Sequence, residues 1–162
     1  MFKRIFGNLV LISFSLFIIG CANATSVIKT PVVGHKKFTS FTLEEENLGI
    51  SVPKEKIDYF QKKLTEMFEK DNYKQGQGLK IKYSFRAYNE GNRFVRYMIG
   101  FGAGKGKMVI NTKFYDATTG IKLGETDTEA DVSMGLFGGS FDEALDKAAE
   151  EIYKFAKNNY MQ

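Results

Sequence analysis

Reactive side chains are scarce in this sequence of 162 residues, which holds one cysteine, Cys21, and one histidine, His35. A histidine-assisted hydrolase would have to use His35, yet the surrounding VVGHKKF has no nucleophile elbow and no G-x-S-x-G occurs anywhere. His35 reads instead as a solvated residue near the start of a strand. Two other patterns invite chemistry. Glu125, Asp127, Glu129 and Asp131 recur at period two, as carboxylates for Ca²⁺ would. Side chains two apart on a straight strand lie about 6.6–6.8 Å from each other. That is too splayed to converge on one ion, and no loop supplies carbonyl oxygens. The second pattern is MIGFGAGKGKM, residues 98–108, whose Gly100, Gly102, Gly104 and Gly106 precede lysines like a phosphate cradle. A Walker loop needs Gly five before its Gly-Lys pair, and those positions hold Ile99 and Phe101. No Ser or Thr follows either lysine, and Lys105 and Lys107 stand where G-x-G-x-x-G needs its third Gly. The sequence thus offers no catalytic constellation, and neither a cofactor nor a metal is expected.

Cys21 has a different setting. Lys3 and Arg4 open the chain, and residues 9–19, LVLISFSLFII, carry no charge. A basic start and an apolar core too short to span a bilayer comfortably describe a secretory signal. An ordinary signal ends in small residues at −3 and −1, which the isoleucines before Gly20 fit badly. The run Ile18-Ile19-Gly20-Cys21 resembles the lipobox of bacterial lipoproteins, with Ile19 in place of the commoner Ala or Ser. That resemblance implies a diacylglycerol on the Cys21 thiol, cleavage before it and acylation of the new amine. Residues 1–20 would then be a signal peptide, and the mature chain would have no free thiol and no disulfide. At about 0.8 kcal/mol per buried methylene, several acyl chains hold a domain on a membrane almost permanently. Ala22 rather than Asp follows the cysteine, which under the same resemblance implies the outer membrane, facing the periplasm.

Residues 21–32 read as the lipidated N-terminus and a tether, ANATSVIKTPV, with a reach of about 18 Å for ten residues. Residues 33–162 are long enough for one domain with its own core. Lys3 and Arg4 leave with the signal, so the formal charge falls from +4 to +2. A surface so balanced argues against nucleic acid, which needs a concentrated basic face.

Within the domain, residues 36–43 predict a first strand, closed by Glu44-Glu45-Glu46. Ser51-Val52-Pro53 opens a helix whose apolar stripe is Ile57, Phe60, Leu64, Met67 and Phe68. Asp71-Asn72 and YKQGQG stop it. Residues 79–88 alternate, with Leu79, Ile81, Tyr83, Phe85 and Ala87 on one face and Lys80, Lys82, Ser84 and Arg86 on the other. Residues 107–115 follow, with Met108, Ile110 and Phe114 inward. After the turn DATTG comes a strand over 121–132 whose phase slips near Gly124, as at a β-bulge. The slip turns Thr126, Thr128, Ala130 and Val132 inward and sets the acidic row outward. There it can pair with Lys80, Lys82, Arg86, Lys107 and Lys113 of the neighbouring strands. Ser140 and Glu143 form a capping box ahead of a helix buried along Phe141, Leu145, Ala148, Ile152 and Phe155. The order is β-α-β-β-β-α, an α+β domain with a mostly antiparallel sheet and two helices on one face.

The run NRFVRYMIGFGAGKGKMVINTKFYDATTGIKLGE, followed by GLFGGS and an alanine-spaced helix, resembles the bacterial lipoproteins grouped as domain of unknown function 4410. The likeness covers roughly residues 30–157 and is most specific at RYMIGFGAGKGK, DATTG and GLFGG. It implies a secreted, often lipidated envelope domain and lends no catalytic residue.

The two glycine-rich pieces, 98–108 and 134–140, mix Gly with Met, Phe, Leu and Ile where polar loops would be expected. Two readings are open. The glycines let a strand edge and a helix start approach closely, or the loops show Phe101, Leu136 and Phe137 to a partner with Arg93, Arg96 and Lys105 at the rim. The expected function is a non-catalytic envelope lipoprotein that works by binding an envelope protein. The alternative is a carrier or sensor of a small apolar or anionic ligand held under those loops.

Overall fold

The computed structural model describes residues 22–30, 32, 36–90, 106–132 and 140–162, and in these the apolar stripes converge on a single core. The elements are β1 (Ala22–Thr30), β2 (Ser40–Glu45), α1 (Lys54–Lys70), β3 (Lys74–Gln75), β4 (Leu79–Asn89), β5 (Lys107–Asp116), β6 (Lys122–Val132) and α2 (Phe141–Tyr160). They build one six-stranded sheet in the order β1-β6-β5-β4-β2-β3. The pairs β1–β6, β6–β5 and β5–β4 are antiparallel, whereas β4–β2 and β2–β3 are parallel. The parallel pair follows from α1, which crosses over between β2 and β4. The α+β expectation holds, with both helices on one face of a mostly antiparallel sheet.

Alternation sets that face. Leu79, Ile81, Tyr83 and Phe85 of β4 and Met108, Ile110 and Phe114 of β5 are buried. Against them α1 buries Phe60, Leu64 and Phe68, while Ile57 and Met67 flank the core. Phe68 stacks on Phe41 with ring centroids 4.5 Å apart, and Phe60 meets Tyr83 edge-on at 5.1 Å. The side chain of Ser140 caps α2 by accepting the amide of Glu143 at 3.2 Å. This helix buries small residues, Ala144, Ala148, Ala149 and Ala156, which lets it lie close to the sheet and to α1. The helices run parallel: Lys56 pairs with Asp142, Tyr59 with Asp146, and Phe68 with Tyr153. Asp71, at the end of α1, accepts from both Tyr153 and Lys157 of α2.

Four local features differ from the sequence reading. The stretch expected as a tether is strand β1, which pairs with β6 from Ala22↔Val132 onward. Ala22, Ala24 and Ser26 are half-buried on the inward face, and the Ser26 hydroxyl lies 2.8 Å from that of Thr128. A two-residue strand, β3, interrupts the loop after α1. The first strand of the domain begins later than expected, at Ser40, with Phe38 making only an isolated bridge to Met161. Finally, β4 bulges between Phe85 and Ala87, so Tyr88 rather than Ala87 turns toward the core. The slip expected near Gly124 is present, since Phe114 pairs with Gly124 and Tyr115 with Lys122.

The connection between β5 and β6 is fixed by Asp116. Its carboxylate accepts the amides of Thr118 and Thr119 at 2.9 and 3.3 Å and the Lys36 ammonium at 2.6 Å. Gly120 closes this turn at φ +72°, in the left-handed region that favours glycine.

Candidate functional site

The residues singled out in the sequence, Cys21, Arg93, Arg96, Phe101, Lys105, Leu136 and Phe137, lie outside the described residues, as does His35. The strand ends from which their segments depart are described, and they stand side by side. Asn89, the last residue of β4, pairs with Lys107, the first of β5. Lys107 pairs on its other side with Asp131 of β6, and Asp131 with Asn23 of β1. Val132, where β6 ends, pairs with Ala22, where β1 begins. The strand ends from which both glycine-rich segments depart, and Ala22 at the start of β1, therefore stand at one end of the sheet.

That end is built from the bulge in β4. By turning Tyr88 inward, the bulge brings its ring edge-on to Phe85 at 6.1 Å and to Phe141 at 5.0 Å, the first residue of α2. Such pairs add about 0.5–1.5 kcal/mol beyond the area they bury. The Tyr88 hydroxyl donates to Oε1 of Glu90. Burial, and then this carboxylate, push the phenol well above its ordinary range. Gly106 sits where the first connection rejoins the sheet. A Cβ there would stand 3.0 Å from the carbonyl oxygen of Glu90 and 3.0 Å from the Phe141 ring. At this position the glycine does let the strand start and the helix start approach closely. Lys56 of α1 reaches Asp142 of α2 at 2.7 Å, and this carboxylate raises the lysine pKa. Both helices thus begin at this same end.

The outer face of the sheet carries the acidic row, of which Glu125, Asp127 and Glu129 are engaged by neighbouring side chains. Asn111, buried at 1% exposure, donates to Glu125 at 2.8 Å and to Asp127 at 2.7 Å. Arg86 approaches the same two carboxylates at 3.6 and 3.8 Å. Lys122 binds Glu125, Lys29 binds Asp127 at 3.2 Å and Lys107 binds Glu129 at 2.9 Å. The Lys122 hydrogen bond, helped by Asn111, holds the Glu125 carboxyl below its ordinary value in spite of burial. Of the five basic residues expected opposite the row, Arg86 and Lys107 meet it. Lys80 and Lys82 turn to Glu44, and Lys113 turns to Glu46 at 2.7 Å. Among the described residues no group of three or more His, Cys, Asp or Glu could hold a metal ion.

An open polar groove lined by Gln61, Thr65, Glu69 and Gln75 runs between the solvent side of α1 and β3. Its Gln75 amide donates to the Glu69 carboxylate at 2.9 Å, so part of its polar lining is internally paired.

Comparison with curated proteins found no match. Among solved structures, the chain is similar to a point variant of the PelC dodecamer from Paraburkholderia phytofirmans, with 10% identity and a TM-score of 0.47 over 88% of this chain and 100% of that one. It is also similar to the PelC dodecamer from the same organism in another crystal form, with 8% identity and a TM-score of 0.46 over 82% of this chain and 96% of that one. A family model described as Domain of unknown function (DUF4410) matches residues 45–135.

Proposed function

The chain belongs to the DUF4410 family, a domain of unknown function, and from that premise we propose that it is a non-catalytic envelope lipoprotein. It is anchored through acylated Cys21 and serves as a protein-interaction or structural module on the periplasmic side of the outer membrane. The observation that carries this reading is the convergence of strand ends. Asn89, Lys107, Asp131 and Val132 bring the exits of both glycine-rich connections to one end of the sheet. A contact surface made by Phe101, Leu136 and Phe137, rimmed by Arg93, Arg96 and Lys105, needs both connections there. The engagement of Glu125, Asp127 and Glu129 supports the same reading, because these carboxylates of the outer face are paired within the domain.

The test is crosslinking and pull-down of the lipidated protein from its native envelope, comparing wild type with Phe101→Ser and Phe137→Ser. The expected result is loss of the crosslinked protein from both variants with thermal stability unchanged. Undiminished recovery from both variants would remove the loops from the interface. A steep fall in stability would assign the two phenylalanines to the core.

A further inference from the structure

The start of β1 constrains how a domain anchored at Cys21 would stand on a membrane. A tether of ten residues would let the domain roam about 18 Å from its anchor. Instead, Ala22 is already hydrogen-bonded sheet, opposite Val132, and Asn23 lies opposite Asp131. Consecutive Cα atoms are about 3.8 Å apart, so the residue before Ala22 leaves directly from the corner where β1 begins and β6 ends. Through Asp131↔Lys107 and Lys107↔Asn89, that corner is continuous with the end of the sheet from which both connections depart.

We propose that this end of the sheet, from Ala22 through Asp131 and Lys107 to Asn89, lies against the surface of the leaflet that holds the Cys21 acyl chains. The inference rests on the lipoprotein reading given above and deepens it by naming the lipid surface as what this end faces. Chain length supports a lipid surface over any other occupant, because the acylated residue is covalently adjacent to the strand. Composition agrees: residues 91–105 and 133–139 include Arg93, Arg96 and Lys105 and no Asp or Glu, so the connections add no acidic group to repel phosphate headgroups. The opposite end of the sheet, with the turn at Thr118 and Thr119, then points into the periplasm. The ten residues of β5 put that turn about 30 Å from Lys107, at 3.3–3.4 Å per residue. A partner touching the glycine-rich connections would be one lying in or on the same leaflet.

The experiment uses the acylated protein in phosphatidylethanolamine–phosphatidylglycerol vesicles. Acylation consumes Cys21, the chain's one cysteine, so an introduced thiol takes the label alone. Lys107→Cys and Thr118→Cys are each given a fluorophore, and quenching by a lipid with a nitroxide on its headgroup is measured. Strong quenching at position 107, with position 118 at the level of a soluble, anchor-free control, is the expected result. The mass of the N-terminal peptide and co-flotation with vesicles are measured on the same samples. A protein without the acyl mass, or one that fails to float, refutes the lipoprotein reading and this orientation with it. A protein that is acylated and floats, but is quenched equally at both positions or more at 118, overturns the orientation alone.

Discussion

Gly124 and Tyr160 offer a quantitative check on the packing of α2 against the sheet. A Cβ built on Gly124 would lie 2.2 Å from the Tyr160 hydroxyl oxygen and 3.5 Å from the ring carbon that bears it. The first distance is impossible and the second is ordinary contact. The hydroxyl cannot simply swing away, because the ring is 1% exposed and lies 5.2 Å from Phe114 and 5.9 Å from Phe155. It also donates to the Leu123 carbonyl at 3.1 Å, inside the core. Gly124→Ala therefore forces overpacking, about 1–3 kcal/mol, and displaces a buried hydrogen bond, about 1–1.5 kcal/mol. The expected loss is about 2–4 kcal/mol. Tyr160→Phe alone gives up the hydrogen bond and leaves a buried carbonyl without this donor, about 1–2 kcal/mol. In the double variant the offending oxygen is gone, so its loss should match that of Tyr160→Phe, leaving a coupling between the sites as large as the whole Gly124→Ala loss, about 2–4 kcal/mol. The assay is urea unfolding of the chain from residue 22 onward, followed by circular dichroism for all four proteins. Simple addition of the two single losses would refute the reasoning.

Three further outcomes follow from the same contacts. A Cβ on Gly78 would meet the Ser40 carbonyl oxygen at 2.3 Å, a backbone atom with nowhere to go, so Gly78→Ala should cost about 3 kcal/mol or more in the same unfolding assay. The Lys36 ammonium, and then the Thr118 and Thr119 amides, hold the Asp116 carboxyl below its ordinary value of 3.8. Its ionised form therefore stabilises the fold above that value, and this contribution is lost as pH falls through the lower folded-state pKa; melting curves of wild type and Asp116→Asn should differ at neutral pH and converge in acid. Glu129 pairs with Lys107 with both side chains about half exposed, so Glu129→Lys should cost under about 1 kcal/mol, and micromolar Ca²⁺ should leave the wild-type melting temperature unmoved; a calcium-dependent rise would overturn the paired-row account.

The elements legible in the sequence were those whose pattern and packing agree. The stripe of α1, the Ser140 cap of α2 and the phase slip at Gly124 each leave a periodic trace, and each is present. β1 was missed because its inward residues, Ala22, Ala24 and Ser26, are small and give no apolar alternation. The signal available was the run Thr25, Val27, Ile28 and Thr30, β-branched residues suited to a strand. The bulge at Arg86 left no trace, since LKIKYSFRAY alternates straight through it. What bends β4 is tertiary: Tyr88 gains the Phe141 ring only if the phase shifts. A basic residue's partner was also hard to read, because Lys113 has Glu125 opposite in register yet reaches Glu46. Long side chains choose among neighbours that pairing alone does not rank. Of the candidate site, the residues were named from the sequence, and the described strand ends add where their segments leave the sheet.

The lipoprotein assignment is tested most directly by the chemistry of Cys21. Mass spectrometry of the N-terminal peptide from envelope-purified protein should find a chain that begins at Cys21, with a diacylglycerol on sulfur and a third acyl group on the amine. Cys21→Ser should then accumulate as an uncleaved or mislocalised precursor that takes up no fatty-acid label. A chain that retains residues 1–20, or one with a free Cys21 thiol, would contradict the account.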